Sequence, residues 1–308
     1  MKLITNLKNK NFDFVRYGRW FYIAPAIILA FGILMLAIFG LNLGLDFTGG
    51  TIVKVNADGE YSKAEIQDKM DDYNVKYTIT KEQSTSGGNT FSIKFNAEDK
   101  TNDITTELES YFEDDFIEYT TTTATIIKET VMTVFWSILA ALGALIIYML
   151  IRFKFTAGMA TILALMHDVL MIGALMAIFQ IEINASFIAA VLTVMAYSIN
   201  NSLVVFDRVR TLEKNNTENH KLDYLVNKSI NSTLGRSILT MVTTLGTLLV
   251  LTVISLIMQL STLIEFALPI VFGLLAGTYS SLFLIAPLYM QFETARLLTK
   301  QRKINVQK

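Results

Sequence analysis

Six apolar stretches of about 20 residues, each long enough for a helix to cross a hydrocarbon layer roughly 30 Å thick, constrain this chain more than any other feature. They run over Trp20–Leu41, Val131–Ile151, Phe155–Phe179, Ala185–Phe206, Ile238–Met258 and Leu263–Met290. In lipid every backbone N–H and C=O must be bonded within the protein, so such stretches predict helices rather than open sheets. The expected fold class is an α-helical polytopic membrane protein, a six-helix transmembrane bundle. Composition agrees: 52% of the residues are hydrophobic, 17% are charged and the mean hydropathy is +0.45. The first stretch is too long for the apolar region of a typical signal peptide and has no evident small-residue cleavage site after it, so it reads as a span that stays. The last is longer than a span needs and is expected to tilt, or to bend at Pro269.

Charge sets the expected orientation. Lys2, Lys8, Lys10, Arg16 and Arg19 precede the first span; Arg152 and Lys154 lie between the second and third; Arg208, Arg210, Lys214, Lys221 and Lys228 lie between the fourth and fifth; Arg296, Lys300, Arg302, Lys303 and Lys308 follow the sixth. The turns after the third and fifth spans hold no Lys or Arg. By the positive-inside rule the N-terminus (1–19) and the tail (293–308) face the cytoplasm. Residues 42–130 then form an extracytoplasmic domain. That segment has 18 Asp and Glu against 8 Lys, a net charge of −10, which leaves +9 for the remainder of a chain of net charge −1.

The outer segment is patterned like a folded domain. Thr51–Asn56 reads as a strand, and Ser62–Asp72 as a helix with Ser62 and Glu65 spaced for a capping box. Val75, Tyr77 and Ile79 alternate as a strand, Ser86–Asn89 as a turn, and Phe91, Ile93 and Phe95 as another strand. A helix over Asn102–Phe112 and a β-branched strand over Ile117–Ile126 complete the order βαββαβ, that of a small α+β ferredoxin-like unit.

Polar residues within the spans are the candidate functional groups, because an Asp at mid-membrane costs about 2.5–3.5 kcal/mol on insertion scales. Asp168 lies 13 residues into the third span, about 20 Å along the helix. It is either a protonatable group facing the bundle interior or a structural acid bonded to neighbouring helices. Ser198, Asn201 and Ser202 share one face of the fourth span and form a polar stripe that glues helices or lines an ion path. Asp207 and Arg208 sit at the cytoplasmic edge in pairing or anchoring positions. Arg236, at the start of the fifth span, snorkels to the headgroups or reaches inward toward Asn201 and Asp168. Gly273, Gly277 and Ser281 form a ridge for close helix approach. The chain has no Cys and two His, and it has no H-E-x-x-H, G-x-S-x-G or Walker A pattern. No metal site, cofactor, enzymatic activity or nucleic-acid partner is expected.

Several motifs together resemble one family. Leu43 to Thr51, with Asp46, Phe47, Gly49, Gly50 and Thr51, resembles the G-x-D-F-x-G-G-T signature of SecD and SecF, where paired glycines permit a tight turn into the first strand. His167-Asp168, the block Ala189–Arg208, the pattern from Asn227 to Arg236, and Gly277-Thr278-Tyr279-Ser280-Ser281 are similar to further family segments in the same order. The small outer domain places the chain on the SecF side, since SecD has a much larger one. The resemblance implies one RND-like half of a twelve-helix unit made with SecD, in the bacterial cell membrane. That unit would associate with the SecYEG channel and use an ion gradient to draw an unfolded preprotein outward. Two positions depart from the pattern: Ala196 stands for a Gly and Asn201 for an Asp that the family uses as a proton-transfer candidate. An amide does not exchange a proton near neutral pH. Coupling would then rest on SecD's membrane Asp, on Asp168 with it, or on another ion. The alternatives are an RND-type small-molecule transporter subunit, for which an outer segment of this size is small, and a structural scaffold for SecD without an ion path.

Overall fold

A computed structural model describes residues 12–59, 61–83, 88–96 and 101–306. A 3-10 turn, Trp20–Tyr22, leads into α1 (Ile23–Phe39). Residues 40–49, with one helical turn at Leu45–Thr48, then lead into β1 (Gly50–Asn56). The head continues through α2 (Lys63–Asp71), β2 (Tyr77–Gln83), β3 (Asn89–Phe95), α3 (Thr101–Phe112) and β4 (Phe116–Thr122). Its strand order is β2-β3-β1-β4 with every neighbouring pair antiparallel, so the ferredoxin-like order is present in space as well as in sequence. Burial alternates along β1, which turns Val53 and Val55 toward Ile66 and Met70 of α2 and Ile104 and Leu108 of α3. Ser62 caps α2 reciprocally with Glu65, satisfying two backbone donors that the helix itself leaves free. Ser86 and Gly87 of the expected turn lie outside the described residues.

One boundary differs from the sequence reading. The final strand ends at Thr122 rather than Ile126, and α4 (Ala124–Arg152) begins after the single residue Thr123. Ile126 and Ile127 are β-branched and suit a strand, but preference of that kind is settled by packing. Here Ile127 lies against Gly49 from the turn of the helix. The second expected strand likewise starts at Tyr77 rather than Val75.

The remaining helices are α5 (Phe155–Phe179), α6 (Ala185–Lys214), α7 (Leu222–Ile257), α8 (Ser261–Tyr279) and α9 (Ile285–Val306). Among the described residues six helices, with α8 and α9 counted as one, are long and apolar enough to cross a membrane. The third apolar stretch coincides with α5, whereas the second, fourth, fifth and sixth belong to helices that run beyond them at one end or both. Leu225, Val226, Ser229, Ile230 and Thr233 are buried at helical spacing, so the amphipathic flank before the fifth span continues α7 toward α6, and only residues 215–221 link them. Pro269 lies inside α8 without ending it, and the irregularity in the last span is instead a π-turn, Ser280–Leu284. At the end of the bundle away from the head, Phe14 packs with Phe206, Ile285 and Tyr289, and closes the interior there.

Candidate functional site

Asp168 sits where three helices meet. Its side chain is 1% exposed. Ser198 of α6 donates a hydrogen bond to Oδ2, Ser280 donates to the same oxygen at 2.9 Å, and His167 Nδ1 lies 3.0 Å from Oδ1. Each contact has a local cause. Ser198 faces α5 from the polar stripe of α6. Ser280 is the first residue of the π-turn, whose wider ring shifts the register of the last span, a feature frequent at functional sites. Gly277 lets α8 close in: a Cβ there would stand 3.1 Å from Ser198 Cβ and 3.5 Å from Asp168 Oδ2. The acid is therefore compensated by hydroxyl donors rather than by a cation from another helix, as a buried carboxyl must be. Two hydroxyls that can rotate and one imidazole nitrogen that can accept make a pocket able to bond the carboxyl in either protonation state.

Asn201 and Ser202 are also buried but point elsewhere. Ser202 donates to the Ser198 carbonyl at 3.0 Å, and Asn201 Nδ2 has no hydrogen-bond partner among the described residues. His167 Nε2 is buried and unpartnered in the same way. Among the described residues Arg236 bonds to neither Asn201 nor Asp168. It is exposed and lines a cleft of about 430 Å³ with Arg152, Asp207 and Arg208. Asp207 and Arg208 do not pair with each other, since adjacent residues on a helix face apart. Asp207 pairs with Arg152 at 3.1 Å, and Arg208 Nε donates to Ser232 at 3.2 Å. No group of three or more His, Cys, Asp or Glu is placed to hold a metal ion among the described residues.

The glycine-rich signature forms the joint between head and bundle. Asp46 accepts from Ala185 N at 2.7 Å and so ties the head to the start of α6. Phe47 packs on the cluster of Ile172, Met176, Ile183 and Val194. Gly49 and Gly50 have φ of 76° and 139°, and a Cβ on Gly50 would meet the Phe95 carbonyl at 2.6 Å, which makes a larger residue costly there. Thr51, fully buried, meets Thr121 across the sheet at 3.0 Å. Around this strap is a set of polar contacts that no local pattern announces. Lys94 of β3 reaches both oxygens of Glu182 in the α5–α6 turn at 2.9 and 3.0 Å, Ser261 donates to Glu82 at 2.5 Å, and Asn184 bonds Glu265. Burial disfavours the Lys94 ammonium, but the bonds to Glu182 and the charges of Glu182, Glu265 and Glu82 outweigh it and hold its pKa above the ordinary lysine value.

The structure brings Asp168 and Ser198 of the expected polar set together and adds Ser280, which the sequence pattern did not point to as a partner of the acid. The signal available for it was the small-residue run Gly277–Ser281.

Comparison with known proteins places these features in one family. Residues 102–295 match the family described as protein export membrane protein SecD/SecF, C-terminal, and residues 34–59 match the SecD/SecF GG motif. The chain is 32% identical to a protein translocase subunit SecF from Petrotoga mobilis, covering 94% of this chain and 99% of that protein. It is 29% identical to protein translocase subunit SecDF from Bacillus subtilis, over 94% of this chain but 39% of the longer relative. The fold is similar to the crystal structure of SecDF, a translocon-associated membrane protein from Thermus thermophilus, with a TM-score of 0.76 at 28% identity. That likeness covers 93% of this chain and 39% of that one.

Proposed function

Since the chain belongs to the SecD/SecF family of protein export membrane proteins, we propose that it works as the SecF subunit of a translocase, joined to SecD in a twelve-helix unit beside the SecYEG channel. In this reading both termini are cytoplasmic, the acidic head is outside, and an ion gradient drives movement of an emerging preprotein. The observation that supports it is the buried Asp168, set among Ser198, Ser280 and His167 at the centre of the bundle. A carboxyl there costs insertion energy, which fits a group that works by gaining and losing a proton. The head bears on the same helices: Asp46 holds the start of α6, and Ser198 lies further along it. A change in the charge of Asp168 would alter its bond to Ser198 and bias α6, and with it the joint.

Asn201 and Arg236 favour a second reading, a scaffold for SecD without its own ion path. The amide cannot carry a proton, and the guanidinium stands apart from Asp168. Gradient-dependent export in cells separates the two. Asp168→Asn keeps the shape and the hydrogen bonds but removes the titration. A coupled subunit would lose at least tenfold in gradient-stimulated export, with unprocessed precursors accumulating. A scaffold would show export within twofold of the parent for Asp168→Asn and would not gain from Asn201→Asp. Recovery of SecD and SecYEG in a detergent pulldown would support the export reading, and their absence would remove it.

A further inference from the structure

At the end of the bundle away from the head, the α4–α5 turn, the extension of α6 and α9 enclose a cleft of about 380 Å³. Its floor is apolar, with Phe206, Val209 and Tyr289 all buried. Its rim is cationic, with Arg152, Lys154, Arg210 and Lys214 converging from two sides. Two of these cations are already matched: Arg152 pairs with Asp207 at 3.1 Å and Lys154 with Glu213 at 2.7 Å. Arg210 and Lys214 form no ion pair among the described residues, and the one contact of the Arg210 guanidinium is to the Arg152 carbonyl at 3.5 Å. The cleft thus carries unmatched positive charge over an apolar base.

Its height fixes what can enter. Arg152 ends α4 and Lys154 caps α5, so the cleft lies where the apolar spans stop, at headgroup level. Beside it on the membrane side stand Ile151, 82% exposed, and Phe155, 64% exposed, which offer a surface to acyl chains. A basic pocket between helices at this level suits an anionic headgroup, each nearby Lys or Arg contributing about a factor of five in affinity.

We propose that this cleft seats the phosphate of an anionic phospholipid, with Arg210 and Lys214 on the headgroup and Ile151 and Phe155 against the chains. The proposal does not depend on export activity, so it can fail or hold independently of the translocase reading.

The test uses the full chain in detergent and native mass spectrometry. The probes are phosphatidylglycerol, phosphatidylcholine with the same acyl chains, and inorganic phosphate. Phosphatidylglycerol is expected to be retained and the zwitterionic lipid shed. Arg210→Gln with Lys214→Gln should weaken retention about 25-fold, a factor of five for each cation. Lys228→Gln, which removes a cation at the same end but outside the cleft, should change it by less than twofold. Ile151→Ala with Phe155→Ala, which keeps both positions apolar and leaves the charge unchanged, should weaken retention of the lipid. Equal retention of both lipids would overturn the assignment, as would retention in the Arg210 and Lys214 variant at the parent's level. Displacement of phosphatidylglycerol by millimolar inorganic phosphate would also overturn it, because it would identify a soluble phosphate as the occupant.

Discussion

In the head, large side chains meet large side chains: Val53, Val55, Ile93 and Phe95 from the sheet interlock with Ile66, Met70 and Leu108 from its helices. At the centre of the bundle the closest helices meet through small or hydroxylated residues, Gly273 against Val194, and Gly277 and Ser280 against Ser198 and Asp168. The reason is the solvent on the far side. Water expels the head's apolar groups, at about 25 cal/mol for each Å² buried. Lipid tails are as apolar as Leu and expel nothing, so helices in the membrane associate by close approach and hydrogen bonds. The same contrast runs within the bundle. Of the apolar window of the last span 72% is buried, against 6% in α4, although the hydropathies are 1.9 and 2.5. The more hydrophobic helix is the more exposed one.

The strongest challenge to this contrast is Leu108→Ala. Leu108 is fully buried in the head, and its truncation should cost about 2–5 kcal/mol. Hydrogen exchange of the full chain in detergent should show head amides losing protection while α5 and α6 keep theirs; uniform loss would mean that head and bundle fold as one unit. Next comes Gly273→Leu, since a Cβ there would already stand 2.3 Å from Val194 Cγ2. Overpacking of this kind should cost about 1–3 kcal/mol and lower the thermal stability of the bundle. A neutral result would show that the bundle is loosely packed after all.

Smaller effects sharpen the picture. Ser62→Ala removes the cap of α2 and should cost about 1 kcal/mol, confined to the head. Its partner Glu65 has a pKa held below the ordinary carboxylate value by hydrogen bonds from Ser62 N and Oγ. A depressed folded-state pKa gives stability that is present above the unfolded value, about 4.3, and lost as pH falls through the folded one. The stability gap between the parent and Glu65→Gln should therefore close on acidification below about pH 4, and a gap constant with pH would refute the cap. The smallest effect is expected for Ile147→Ala on α4, where the side chain is 60% exposed and exchanges lipid for lipid; about 0.5 kcal/mol or less should appear in detergent melting.

What could be read from the sequence follows the same division. The six spans were legible because a membrane crossing needs a continuous local run, and the head's strands because alternation is local too. Ser62 and Glu65 were legible three residues apart. Asp168 stood out by its cost, but its partner Ser280 is 112 positions away and reaches it only through a π-turn that no periodicity encodes. Lys94 and Glu182 are 88 positions apart, and nothing in either neighbourhood marks the other. The branched side chains of Ile126 and Ile127 suit a strand, but Ile127 packs on Gly49 from the first turn of α4.

Thr123 is the whole of the connection between β4 and α4, while residues 40–49 connect α1 to β1. The two attachments are therefore unequal in slack. On one side a strand passes into a membrane rod like a crank into its shaft, and a tilt of the sheet must reappear as a turn or tilt of α4. On the other, the ten residues from Gly40 to Gly49 give a longer connection, tied to the start of α6 through Asp46. The helix that receives the head most directly is thus the one the bundle grips least.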